Sequence, residues 1–209
     1  MRSATTTALS AGCLLVAGAC ATTHQSARVL EPGKTQVTAA LGRTSADEGG
    51  LDEGIWSGDL QVHTGLADKI EGGARLVRTP GSGGTLSYGA VEGRFQIVPD
   101  LVSIALPFGL LWAEEGADFD DGFFLATPTV FVGSQLSPTL ELVAAPKLYV
   151  FIPTDDEGDT EVELGGSVGA RFTNPARTWA IHPELGLLRI GGDDSVTYIT
   201  FGLGVSVGN

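Results

Sequence analysis

The chain has 209 residues, 43% hydrophobic and 18% charged, with 30 Gly and a formal net charge of -13. Twelve Lys and Arg stand against 25 Asp and Glu, which makes nucleic acid a poor candidate partner, because that affinity rests on neutralising phosphates with basic side chains. Both cysteines, Cys13 and Cys20, fall within the first twenty residues, so the body of the chain has no disulfide, CxxC pair or Cys-based zinc site. No run of 18 or more apolar residues follows the N-terminus, so no membrane-spanning helix is expected there.

Residues 1–19 read as a secretory signal peptide: Met1-Arg2 supplies a positive charge, and Ala8 to Ala19 is a short apolar core ending in small residues. Ala17-Gly18-Ala19-Cys20 resembles the bacterial lipobox, which implies lipidation of Cys20. Ala17 stands where Leu is commonest, Ser10-Ala11-Gly12-Cys13 competes with a shorter apolar core, and ordinary cleavage near Ala19 is the alternative. Several acyl chains on one residue would give stable anchoring, where a single chain is marginal. Ala21 to Gly33 has no periodicity, so residues 20–33 are expected to be a lipid-anchored tether.

From residue 34 onward the chain alternates with a period of two, the signature of half-buried strands. Val37, Ala39 and Leu41 share a face in the first strand, and a Gly-rich acidic loop follows over 43–57. Leu60, Val62 and Leu66 continue on one face of the second strand, Ile70, Ala74 and Leu76 on one face of the third. Leu66 is expected opposite Ile70 across a three-residue loop, Ala67-Asp68-Lys69. After a loop over 79–84, Val91, Phe95 and Ile97 mark the fourth strand, and Ile104, Leu106, Phe108, Leu110 and Trp112 the fifth. Phe123 to Gly133 is apolar on both faces, and alternation alone does not assign its parity. Leu142, Leu148 and Val150, then Val162, Leu164, Val168 and Phe172, mark the next two strands. Trp179, Ile181, Leu185 and Leu187, then Ile199, Phe201, Leu203, Val205 and Val207, mark the last two.

Three features point to a membrane barrel of about ten strands over residues 34–209. About 45 positions on the nine assignable apolar faces carry no charge, as a lipid-facing wall requires when Lys or Arg at the midplane costs roughly 2–4 kcal/mol. Strand lengths of about nine to thirteen residues suit a tilted span. Long and short connections alternate, as do the outer loops and periplasmic turns of such barrels, and an even strand count leaves both termini on the short-turn side. Phe95, Phe172 and Trp179 beside short turns, and Trp56, Trp112, Phe123, Phe151 and Tyr198 beside the outer loops, fit two aromatic girdles.

On these residues the chain resembles bacterial outer-membrane β-barrel proteins, in particular a small barrel-lipoprotein group. Thr200 to Val207 is similar to their C-terminal assembly signal, although Val207-Gly208-Asn209 lacks the terminal aromatic residue. The resemblance implies an all-β, antiparallel up-and-down barrel in the bacterial outer membrane, N-terminally anchored on the periplasmic side. Its implied partners are outer-membrane lipid and, during biogenesis, the barrel assembly machinery; the chain is expected to be a monomer without cofactors.

The inward positions form a candidate luminal network: Asp59, Gln61, His63, Glu71, Arg75, Glu92, Arg94, Glu141, Lys147, Glu163, Arg171, His182 and Glu184. Barrel interiors near eight strands are largely filled by side chains, so an ion-paired plug is favoured over a selective pore. His63 and His182 are assigned to this network and not to catalysis. In the acidic outer loops, Asp118, Asp120, Asp121, Asp155, Asp156 and Asp159 are candidate oxygen ligands for a divalent cation, but neither cluster has EF-hand spacing. The expected function is non-enzymatic, structural or surface-interacting. The alternatives are a narrow channel, or a soluble lipid-anchored periplasmic barrel carrying a lipophilic ligand.

Overall fold

The structure, a computed structural model, describes residues 22–46, 54–81, 84–113, 122–154, 159–191 and 195–208. Its strands are β1 (Thr35–Ala46), β2 (Ile55–Ala67), β3 (Ile70–Gly81), β4 (Gly84–Val98), β5 (Val102–Ala113), β6 (Phe123–Ala126), β7 (Thr129–Ser137), β8 (Leu140–Pro153), β9 (Glu161–Thr173), β10 (Trp179–Ile190) and β11 (Val196–Gly208). β6 and β7 are two pieces of one span, since both lie between β5 and β8. The break falls at Thr127-Pro128, and Pro128 has no N–H to give the ladder. Every pairing between these strands is antiparallel, and β1 pairs with β11 from Gln36↔Gly208 to Ala46↔Tyr198. That last pairing closes ten spans into a barrel and leaves no open edge, the condition for backbone stability in hydrocarbon.

The alternation decides which way each side chain points. Leu41, Leu60, Val91, Leu106, Val168 and Leu203 are all exposed on the outer surface, while their strand neighbours turn inward. Phe123 to Gly133 now has a parity: Phe124, Val130 and Val132 face out, and Phe123, Leu125, Phe131 and Gly133 face in. Phe124 stacks on Phe108 of the neighbouring span, with ring centroids 5.6 Å apart.

Several strands run further than their apolar faces suggest. β1 continues to Ala46, and β3 and β4 leave only residues 82–83 between them, so parts of the expected loops 43–57 and 79–84 are ladder. These extensions and the end of β10 place Arg43, Arg78 and Arg189 on outward positions near the long-loop end. There an outward charge costs only about 0–1 kcal/mol, against 2–4 at the midplane. Arg43 lies over the Trp56 ring, 5.8 Å from its centroid.

The first hairpin differs from expectation by one residue. Ala67, not Leu66, pairs with Ile70, and a bulge between Gly65 and Ala67 takes up Leu66. The loop is therefore Asp68-Lys69, with Lys69 at φ 66. Bulges recur at the same end of the barrel, between Gln96 and Val98 and between Gln135 and Ser137. A bulge adds local twist and ends pairing, which suits a rim.

The outer girdle is thinner than expected. Trp56 faces out, but Phe123, Phe151 and Tyr198 turn inward and are buried. They join Tyr88, Leu111, Leu125, Tyr149 and Leu188 in an apolar cluster that fills the long-loop half of the lumen. The interior charges thus lie toward the short-turn half and the middle, while nearer the long loops the buried polar side chains are the uncharged Thr44, Ser57, Thr79, Ser87 and Thr200.

Candidate functional site in the lumen

Part of the segment expected to be a lipid-anchored tether, residues 22–30, is packed inside the barrel. Thr22 to Ala27 are all buried, with His24 1% and Ala27 0% exposed. A short clamp sets its entry at the short-turn end. Pro32 bridges to Gly65 in parallel, the Gly33 N–H donates to the Gly65 carbonyl at 2.9 Å, and the Gly65 N–H donates to the Lys34 carbonyl at 3.0 Å. Gly65 must be glycine here: a Cβ on it would lie 2.1 Å from the Glu31 carbonyl oxygen.

From that clamp the segment climbs and crosses the lumen, and wall side chains take up its backbone groups. Near the short turns, the Leu30 N–H donates to Glu71 at 2.8 Å and the Val29 N–H to the Gln96 side-chain carbonyl at 2.9 Å. On the opposite wall the Ala27 N–H donates to Glu141 at 3.1 Å, and Ser26 Oγ donates to the same carboxylate at 2.7 Å. Arg94 donates to the Ser26 carbonyl. Higher up, Glu184 accepts the N–H groups of Thr23 at 2.7 Å and His24 at 2.6 Å. Gln61 donates to the Thr23 carbonyl at 3.0 Å and Arg75 to the Thr22 carbonyl at 2.9 Å. These buried peptide groups of the segment and the wall carboxylates thereby satisfy one another.

The remaining charges pair with one another. Arg75 holds Asp59 through Nε and Nη2, at 3.1 and 2.7 Å. His63 Nδ1 lies 3.1 Å from Glu71 and 3.3 Å from Glu92, and Gln25 Nε2 is 3.3 Å from His63 Nε2. Arg94 Nη1 is 3.5 Å from Glu71, its Nε donates to Ser103 Oγ, and its guanidinium lies 4.4 Å from the Phe131 ring centroid. Arg171 approaches Glu141 at 4.0 Å, and Lys147 lies 5.9 Å from the Tyr149 ring centroid. Five carboxylates (Asp59, Glu71, Glu92, Glu141 and Glu184) thus face four fixed cations, close to internal neutrality.

Twelve of the thirteen expected network residues meet in this inner half and middle of the barrel. Glu163 does not: it sits at the long-loop rim, where it accepts the Gly191 N–H at 3.0 Å. Its strand position is two residues from the start of β9, at the loop end, which is why alternation alone did not separate it. The candidate cation ligands Asp118, Asp120, Asp121, Asp155 and Asp156 lie outside the described residues, and Asp159 is exposed. Cys20 and the expected signal peptide also lie outside them.

Two constellations bear on chemistry. His63, Glu71 and Glu92 present donor atoms within 4.8 Å of one another, a set that fits a divalent ion, although Arg94 and Gln25 already engage these groups. His182 Nε2 is 2.9 Å from Ser206 Oγ, a base-to-hydroxyl distance. His182 is 3% and Ser206 1% exposed, so no substrate reaches the pair as it stands. Thr23, His24, Gln25, Ser26, Gln96, Ser103 and Ser206 are among the participants absent from the expected network; for the first four the clustering of polar residues in Thr22-Thr23-His24-Gln25-Ser26 was the available signal.

The closed ladder, the outward belt without charge at mid-span and the polar inner lumen define the class: a transmembrane antiparallel β-barrel of the outer-membrane kind, with ten spans. No protein-family model and no curated protein matches the chain. Among solved structures it is similar to the translocator domain of autotransporter NalP from Neisseria meningitidis, at 12% identity over 97% of each chain, with a TM-score of 0.48. It is also similar to the NanC porin, at 14% identity over 83% of this chain and 98% of that one, TM-score 0.45. A third likeness is to Ail, the attachment invasion locus protein of Yersinia pestis, at 13% identity over 86% and 100%, TM-score 0.36.

Proposed function

We propose that the chain is a non-enzymatic bacterial outer-membrane barrel that is shut in its resting state and serves a structural or surface-interaction role. The observation that carries this reading is the double seal of the lumen. The segment Thr22 to Leu30 lies across the inner half, and the apolar cluster around Leu111, Leu125, Tyr149 and Leu188, each 0% exposed, fills the outer half. A cavity of about 400 Å³ lined by Gln25, Arg28, Glu71 and Arg171 is left at the inner mouth. The test is reconstitution of the purified full chain in a planar bilayer. No channel steps are expected; reproducible single-channel conductance would overturn the reading in favour of a channel.

Lipidation of Cys20 is a separate proposal, and a geometric condition sets it against the seated segment. Two residues of extended chain reach about 7 Å, so Cys20 stays within that distance of Thr22 whenever Thr22 is seated. A Cys20 anchored in the periplasmic leaflet therefore requires the segment to leave the lumen. Palmitate labelling of the chain, compared with Cys20→Ala, tests the modification itself; labelling that persists in the variant sinks it.

A further inference from the structure

We infer that the inner lumen is a binding site for a short, bent peptide recognised through its backbone, that the chain's own Thr22–Leu30 occupies it, and that the site holds this peptide without the covalent link. The inference stands on the seat's geometry and not on the shut-state reading: a barrel that never conducts could still fail to bind peptide.

The first support is the kind of contact. Three buried carboxylates, Glu184, Glu141 and Glu71, each accept at least one backbone N–H of the segment, while Arg75 and Arg94 donate to its carbonyls. Hydrogen bonds with an ionised partner are about twice as strong as neutral ones, and most of these read the peptide group and not the side chain. Such recognition asks for a backbone of this course, with His24 at φ 51 and a bend at Ala27-Arg28, more than for one sequence.

The second support is independent of charge. The wall is hollowed with glycine where the segment's side chains lie. A Cβ on Gly202 would fall 2.6 Å from His24 Cε1, one on Gly204 2.9 Å from His24 Cγ, and one on Gly133 2.6 Å from Ala27 Cβ. Inward glycines on β11 and β7 thus form a floor with room for a flat ring at position 24 and only a methyl at position 27. That is a seat shaped to an occupant, with a preference for a small residue at its centre. The clamp at Pro32–Lys34 keeps the occupant at high local concentration, so a linked segment outcompetes a free one.

The experiment keeps the whole chain. A site for a sequence-specific protease is inserted between Gly33 and Lys34, the barrel is purified folded in detergent, and the link is then cut. Unboiled gel migration reports that the barrel stays folded. The severed segment is expected to stay with the barrel through gel filtration, or, if lost, to be replaced by a dye-labelled synthetic peptide of the sequence Thr22–Leu30. Labelled peptide is expected to bind the cut, emptied barrel saturably and the uncut chain not at all, and Glu184→Gln in the cut barrel is expected to weaken binding about tenfold. Loss of the segment with no saturable rebinding overturns the proposal, and so does equal labelling of cut and uncut chains, which would place the peptide outside the seat.

Discussion

Glu184 holds the backbone of a residue 160 positions earlier in the chain: its carboxylate accepts the His24 N–H at 2.6 Å. The same carboxylate takes Thr23 twice, from the backbone N–H at 2.7 Å and from Oγ1 at 2.9 Å. The last third of the barrel thus fixes the segment that enters before its first strand. A glutamate at the heart of a membrane barrel would otherwise carry an uncompensated charge in a poor solvent.

Replacing Glu184 by Leu removes all of these acceptors. Hydrogen bonds to a charged group contribute about 1.5–3 kcal/mol each, so the upper end of the segment is expected to detach. Trypsin reads the change at Arg28. In the parent chain the following N–H, that of Val29, is bonded to Gln96. Cleavage after Arg28 is expected to be slow in the folded parent and at least several-fold faster in Glu184→Leu, followed by mass spectrometry. Equal rates would show that Glu184 does not hold the segment.

The pair Asp59–Arg75 makes a different prediction because both partners are buried, at 7% and 10% side-chain exposure. Asp59→Ala leaves Arg75 with the Thr22 carbonyl but without its carboxylate. Breaking a buried pair from one side costs about 3–5 kcal/mol, whereas replacing both partners by apolar residues is often close to neutral. The temperature at which unboiled protein converts to the unfolded gel band is expected to fall sharply in Asp59→Ala and to recover most of the loss in Asp59→Leu/Arg75→Leu. A double variant as labile as the single one would contradict this.

The barrel was legible in the sequence because lipid imposes a strict rule on alternate residues. Leu41, Leu60, Leu106 and Leu203 had to be apolar and uncharged, and a two-residue period shows this directly. The parity of Phe123–Gly133 was not legible because the inward face there is apolar too: Phe123, Leu125 and Phe131 fill the lumen as Phe124, Val130 and Val132 meet the membrane. For the same reason Phe151 and Tyr198 passed for girdle residues. The luminal seat was half legible. Glu71, Arg94, Glu141 and Glu184 announced a polar interior by position, but what they bind did not show. The segment 22–33 has no period, since wall side chains scattered over several strands, among them Glu71, Gln96, Glu141 and Glu184, take up its backbone, and only long-range geometry reveals its place. Bulges such as that at Leu66 shift pairing by one residue without changing which face is apolar, so alternation cannot locate them.

Gly202 tests the shape of the seat apart from its charge. A Cβ there falls 2.6 Å from the His24 ring and 3.1 Å from Thr22 Cγ2. Gly202→Ala is expected to leave the ladder intact, because alanine suits a strand, yet to loosen the segment. Faster trypsin cleavage at Arg28 with little change in the barrel's unfolding temperature would show it. Removing the ring with His24→Gly in the same chain is expected to restore slow cleavage. Without that rescue, the fault would lie in the strand and not in the fit to His24.

The outer wall offers the last prediction, and the contrast between two positions on β11 carries it. Leu203 faces out at mid-span with 48% exposure, while Ser206, three residues on, faces in and is 1% exposed. Lysine at 203 would place an ammonium in hydrocarbon, at a cost of roughly 2–4 kcal/mol near the midplane. Arg43, whose register partner on β11 is Phe201, shows where the wall begins to tolerate such a charge: at the long-loop end, against the Trp56 ring. Leu203→Lys is therefore expected to lower the urea midpoint of barrel unfolding in lipid vesicles, and Phe201→Lys, one outward position nearer the rim, to lower it less. If the barrel instead stood in water, as a soluble periplasmic carrier would, both substitutions on an exposed surface would leave stability within about 0.5 kcal/mol of the parent. Equal and small shifts at 203 and 201 would thus remove the membrane from the account, and a graded loss toward mid-span would fix the depth at which the barrel sits.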